Sequence, residues 1–170
     1  MKVYVLAPQE NWICDRFVSE WTAHHGSEIV DNPNDADIVW LLADWCWNHL
    51  SPDILRSKKI LASVHHIVPE KFGPEQQREF AIRDTIVGYY HVPCQKTHDQ
   101  IRGLTSKKIF TFPFWVNPLV WYDQKNLKDE LRERYGISKD VFLIGSFQRD
   151  TEGHDLKSPK LEKGPDLFCD

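Results

Sequence analysis

Lys58-Lys59-Ile60-Leu61-Ala62-Ser63-Val64-His65-His66 is the stretch that decides how this chain is read. Apolar and small residues follow one another without polar alternation between two lysines and two histidines. Such a run, too short for a helix, is what a strand buried inside a parallel sheet requires. A strand is expected over Ile60 to Val64, feeding directly into His65 and His66. Runs of the same kind flank it. Val3 to Ala7 is closed by Pro8, and Ile38 to Ala43 follows a turn residue, Asp35. Downstream come Thr85 to Tyr89, Lys108 to Phe112 closed by Pro113, and Val141 to Ser146.

Polar segments of helical character separate these runs. Asp15 to His24 places Phe17 and Trp21 at helical spacing, with Gly26 as its stop. Ser51 and Pro52 form an N-cap and first-turn pair for a short helix ending near Ser57. Pro74 to Arg83, Gln95 to Leu104 and Leu127 to Tyr135 are further helices, the last with Gly136 as the residue after its end. Strands alternating with helices imply βαβ units with right-handed crossovers. The expected fold class is α/β, a Rossmann-like parallel sheet with flanking helices. Such a sheet binds ligands outside the carboxyl ends of its strands. That selects the loops Pro8 to Arg16, Asp44 to Asn48, His65 to Lys71, Pro113 to Asn117, and the chain from Ser146 onward.

Bulk properties narrow the function classes. With 41% hydrophobic and 27% charged residues the chain is globular rather than disordered, and a net charge of -4 argues against a polyanion binder. The opening MKVYVLAP is too short for a signal peptide or a membrane span, so a cytoplasmic protein with reduced thiols is expected. Its four cysteines form no CxxC pair, and no HExxH, GxGxxG or P-loop occurs. A metal site, a Cys/His nucleophile and a dinucleotide fingerprint are therefore not expected.

The candidate site residues lie on the selected loops. His65 and His66 can hold a hydroxyl or a phosphate at a strand end. The loop Pro8-Gln9-Glu10-Asn11-Trp12-Ile13-Cys14-Asp15-Arg16 mixes polar side chains with an indole, the combination a sugar ring requires. Trp115 and Asn117 stand in a proline-stiffened loop, with Trp115 the better candidate for packing. Arg149 and Lys163 are cations where a strand gives way to a helix, a suitable arrangement for a diphosphate.

In this order these segments give the chain a family likeness. The opening strand and loop, ILASVHH at 60–66, IFTFPFWVNP at 109–118, and LRERYGISKDVFLIGSFQRD followed by KLEKGPDLF resemble retaining GT-B glycosyltransferases of family four. The resemblance implies an N-terminal Rossmann-like acceptor-side domain over 1–140 and the beginning of a C-terminal nucleotide-sugar domain over 141–170. It implies a nucleoside-diphosphate sugar as co-substrate, no cofactor, no metal, and a glycan, lipid-linked or small-molecule acceptor. Arg149 and Lys163 match the family's diphosphate-binding arginine and lysine. His65 matches its strand-end histidine, the catalytic position. Glu10, Asn11, Arg16, His66 and Asn117 become acceptor or sugar contacts. Peripheral contact with a membrane, and inactivity of this length of chain without its remaining donor domain, belong to the same expectation. The family's first loop often carries a double glycine, which Pro8 to Arg16 lacks. Two other readings fit the pattern: a sugar-nucleotide epimerase of GT-B shape, and a non-catalytic flavodoxin-like binding or interaction module.

Overall fold

The computed structural model describes residues 1–145 and 157–158. The chain divides into two compact units, Met1–Trp121 and one that begins at Tyr122. The first unit holds a five-stranded, all-parallel sheet flanked by helices. Its elements are β1 (Val3–Leu6), α1 (Ile13–His25), β2 (Ile38–Leu41), α2 (Pro52–Ser57), β3 (Lys59–Ser63), α3 (Pro74–Asp84), β4 (Tyr89–Val92), α4 (Gln95–Ile101) and β5 (Lys108–Thr111). The second unit contains α5 (Lys128–Arg134). Among the described residues no helix is long and apolar enough to cross a membrane.

The strands lie in sequence order, β1-β2-β3-β4-β5. Right-handed crossovers that always step the same way would leave every helix on one face. One detail changes this. Val3 also makes a parallel bridge to Ile29, on the edge of β1 away from β2. Its N–H donates to the Glu28 carbonyl at 2.8 Å, and its carbonyl accepts from the Val30 N–H at 3.0 Å. The connection through α1 therefore steps outward, whereas those through α2, α3 and α4 step the other way. A right-handed chain that reverses direction must place α1 on the opposite face from the other helices.

Packing agrees. Cys14 and Phe17 of α1 join Val3, Trp40 and Leu42 in one core. Ile54 and Leu55 of α2, Phe80 of α3 and Ile101 of α4 join Val39, Leu41, Ile60, Ala62, Tyr90 and Val92 in another. Phe80 stacks on Tyr90 with ring centroids 5.5 Å apart. Each such side chain contributes roughly 1.5–3 kcal/mol by leaving water.

Local signals set the ends of the helices. The Asp15 carboxylate accepts the N–H groups of Glu10 and Trp12, each at 3.1 Å, which fixes the entry to α1. Ser51 Oγ accepts the Ile54 N–H at 3.4 Å ahead of Pro52, as its N-cap pattern predicts. Gly136 follows α5 with φ +66°, a conformation that favours glycine.

Two expected strands differ. Thr85 to Val87 belong to the end of α3. The Thr85 hydroxyl donates to the Ile82 carbonyl, and the N–H groups of Ile86 and Val87 turn back to the Arg83 carbonyl. Pairing with β3 starts at Gly88, whose N–H reaches the Ile60 carbonyl at 2.9 Å. Val87 is buried without being in the strand, and that is what made the run look like one. Val141 to Gly145 form no strand. Among the described residues no neighbouring strand supplies the hydrogen bonds a parallel strand needs. The remainder of the expected run, beginning at Ser146, lies outside the described residues.

Candidate functional site

The reversal between the α1 step and the later steps creates a switch point between β1 and β2. In open α/β sheets the ligand crevice lies at the carboxyl ends of the strands at such a point. Here those ends lead into the Pro8–Trp12 loop, the turn of 3-10 helix Asp44–His49, and His65. The position of the crevice thus follows from backbone topology.

His65 is half-buried at the end of β3. Its Nε2 lies 2.7 Å from the Leu42 carbonyl oxygen. A carbonyl only accepts, so Nε2 carries the hydrogen, and in the neutral ring Nδ1 holds the lone pair. The ring sits between two aromatic groups, with centroids 5.6 Å from Trp45 and 4.9 Å from Phe114. The imidazole is therefore fixed in tautomer and flanked by apolar surface.

Beside it, Asp44 and Arg83 form a buried ion pair with 2.5 Å between Oδ2 and an Nη nitrogen. Burial pushes the Asp44 carboxyl up, and the charges of Arg83 and His65 pull it back. Arg83 reaches this place from α3, with its guanidinium 5.0 Å over the Phe80 ring. The pair lines a cavity of about 220 Å³ together with Trp45, His66, Lys71 and Gln76. His66 is exposed and belongs to this cavity, whereas His65 is not among its lining residues. The adjacent histidines serve different surroundings, as neighbours in extended chain do.

The first-loop candidates divide. Glu10 and Asn11 are exposed at the crevice, and Asn11 holds φ 53°, a conformation asparagine tolerates better than most residues. Arg16 is turned along α1 instead. Its guanidinium packs 4.8 Å over Phe17, and its Nε is 3.9 Å from Glu20 Oε1. Glu20 also accepts the Trp115 indole N–H at 2.7 Å and the Asn117 amide at 3.1 Å. Asn117 Oδ1 in turn accepts the Leu119 N–H. Arg16 and Asn117 are thus brought together through Glu20, and their polar atoms secure the 113–118 loop against α1. Arg149 and Lys163 lie outside the described residues.

Sequence reading passed over Glu20, Asp44, Arg83 and His91. Asp44 stood in a loop selected by the strand-end rule, and Glu20 stood one helical turn after Arg16. Arg83 and His91 gave no sign, because their partners are distant in sequence. His91 completes a relay that runs from the core to the surface. Trp40 Nε1–H donates to Ser63 Oγ at 2.8 Å, the Ser63 hydroxyl donates to His91 Nδ1 at 2.9 Å, and His91 Nε2–H donates to the Phe112 carbonyl at 2.9 Å. Burial pushes the His91 imidazolium toward the neutral form.

The thiols are quiet at this site. Cys14 and Cys46 are buried, and burial with the nearby Glu10 charge pushes Cys14 up to about 11. Among the described residues no group of three or more His, Cys, Asp or Glu side chains is placed to hold a metal ion. Protein-family models, curated proteins and solved structures offer no match to this chain.

Proposed function

We propose that this chain carries the acceptor-side domain of a retaining, metal-independent glycosyltransferase that draws on a nucleoside-diphosphate sugar. The observation that carries the reading is the switch-point crevice with His65 in it, its tautomer fixed by Leu42 and its ring flanked by Trp45 and Phe114. A saccharide offers hydroxyls for hydrogen bonds and an apolar ring face for aromatic groups. The crevice supplies both, from Glu10, Asn11 and His65 on one side and Trp45 on the other. In this reading His65 Nδ1 accepts a hydrogen bond from a sugar hydroxyl. Arg149 and Lys163 hold the departing diphosphate by charge, and His66 contacts the acceptor. The Asp44–Arg83 pair keeps the turn that bears Trp45 in place.

The test is a titration of the chain with a panel of mono- and disaccharides and nucleoside-diphosphate hexoses, followed by calorimetry and by the indole N–H resonance of Trp45. At least one saccharide should bind saturably and move that resonance. His65→Ala should weaken its binding about tenfold or more while the melting transition is retained, since one buried hydrogen bond accounts for about that factor. Arg149→Ala and Lys163→Ala should weaken the sugar nucleotide and leave the saccharide unchanged. If no member of the panel binds, or if His65→Ala binds as well as the parent, the reading fails.

A further inference from the structure

Parallel sheets are ordinarily covered by helices on both faces. Among the described residues α2, α3 and α4 seal one face, and α1 covers the β1–β2 side of the other. On that second face Trp40 of β2, Leu61 of β3 and Tyr89 of β4 stand in register, as do Ser63 of β3, His91 of β4 and Phe110 of β5. Instead of a helix, the chain after β5 folds over part of this surface. It leaves a cavity of about 310 Å³ lined chiefly by Trp21, Trp40, Leu61, Phe110, Phe114 and Trp115. This cavity lies on the sheet face and meets the strand-end crevice at Phe114, whose ring also flanks His65.

Apart from the Trp21 indole N–H, the polar capacity of its wall is already used. His91 has both ring nitrogens bonded inside the protein, to Ser63 and to the Phe112 carbonyl. The indole N–H of Trp40 goes to Ser63, and that of Trp115 goes to Glu20. A sugar, a nucleotide or a polar peptide entering here would lose hydrogen bonds to water without replacing them, at a cost that rules out tight binding. An apolar group loses nothing on entry.

A second cavity, of about 270 Å³, shares Trp21 and Trp115 with the first and is lined also by Glu20, His24, His25 and Asn117. Its wall is largely apolar, through Trp21, Trp115, Val116 and Pro118, but unlike the first it adds the polar side chains of Glu20, His24, His25 and Asn117. The indole N–H of Trp21, in a residue common to both, is buried without an acceptor in the protein. An apolar chamber, a neighbouring one with polar groups in its wall, and an unsatisfied donor in the residue they share describe the outline of an amphiphile. We infer that the face of β3–β5 opposite α2, α3 and α4 is a binding site for a single alkyl chain carrying a compact polar head, with the chain against Leu61 and Phe110 and the head beside Glu20 and Asn117. The inference does not depend on the reading of the strand-end crevice.

The experiment uses n-alkyl glucosides from six to ten carbons, each below its critical micelle concentration, titrated into the 170-residue chain by calorimetry. Binding should be one to one and should tighten about fourfold per added methylene, then level off once the cavity is filled. Leu61→Trp should abolish it by occupying the cavity. Phe110→Ala should instead move the plateau to a longer chain, so the inference stays testable if the tryptophan variant does not fold. Affinity independent of chain length would overturn it, as would an unmoved plateau in Phe110→Ala. Sedimentation that shows the ligand-free chain pairing through this face, with Phe112→Asp restoring a monomer, would assign the surface to a second copy instead. Retention on phosphatidylcholine vesicles without saturable binding of the monomeric glucosides would also defeat it.

Discussion

The two faces of this sheet are finished in different ways. Beneath α2, α3 and α4, Leu41, Ile60, Ala62, Tyr90 and Val92 are sealed from water. On the other side α1 covers β1 and β2, while Tyr89 and Phe112 remain 42% and 61% exposed. The first face is a core in which every side chain is committed. The second is half core and half open surface, and apart from the Trp21 indole N–H its polar groups named above are tied to one another. The difference arises at one bridge, Val3 to Ile29, which reverses the chain's direction and sends a single helix to the second face. The same reversal sets the crevice at the ends of β1 and β2. The sealed core and the open surface thus lie on opposite sides of one sheet.

The sharpest way to break this comparison is to truncate one aromatic ring on each face. Phe80→Ala removes a ring stacked on Tyr90 in the sealed core and should cost about 3–5 kcal/mol. Phe112→Ala removes a largely exposed ring and should cost about 1 kcal/mol or less. Urea unfolding of the two variants measures both. Equal losses would show that the second face is as much a core as the first.

The sequence was a good guide where neighbours along the chain make the structure. The run from Ile60 to Val64 is uninterruptedly apolar because a parallel strand is buried on both sides, and Ser51-Pro52 caps α2 by contacts within one turn. It was a poor guide where residues remote in sequence meet. Val87 is buried like a strand residue while serving the end of α3, so β4 was expected four residues too early. The bridge at Ile29 leaves no pattern of its own, yet it decides which face α1 covers. At the site, His65, Glu10 and Asn11 were legible from the strand-end rule alone. Arg16 and Asn117 were legible as polar loop residues but not as partners, because Glu20, which joins them, lies 97 positions from Asn117.

Asp44 and Arg83 give the next largest effect, and they tie the sealed face to the crevice. Arg83→Ala would leave the Asp44 carboxylate buried without its partner, and such a loss costs about 3–5 kcal/mol. Replacing both together, with Asp44→Leu and Arg83→Met, should recover most of that stability. Saccharide binding at His65 should stay weakened in the double variant, because Trp45 follows Asp44 directly. Chemical denaturation and the titration described above separate these two outcomes. If the double variant is as unstable as Arg83→Ala alone, the pair stabilises through packing and not through charge compensation.

Glu20 is the corresponding residue of the second face. Glu20→Ala leaves the Trp115 indole N–H and the Asn117 amide without an acceptor, and should cost about 1–3 kcal/mol. Glu20→Gln retains one carbonyl oxygen and should lose less. The indole N–H resonance of Trp115 reports the bond directly, and its position should change in both variants. An unchanged resonance would mean that the 113–118 loop is held by Phe114 and Trp115 packing on Phe17 alone.

The smallest effect is a pH dependence that belongs to the second face only. His91 is held neutral by burial, below its ordinary value of 6.5, with the Phe112 carbonyl opposing that shift and any proton on His65 reinforcing it. Above the ordinary value the ring is neutral in both the folded and the unfolded chain, and its relay to Ser63 and Phe112 contributes in full. As pH falls through that value, the unfolded chain binds a proton that the folded chain does not. The derivative of unfolding free energy with pH is then positive, so stability declines with acidification until the lower folded value is passed. His91→Gln keeps a donor for the Phe112 carbonyl but does not titrate. Its stability should therefore fall less steeply than that of the parent between about pH 7.5 and 5.5. Parallel slopes would mean that His91 takes up its proton in place, and that the face bearing the cleft admits water down to the Ser63 relay.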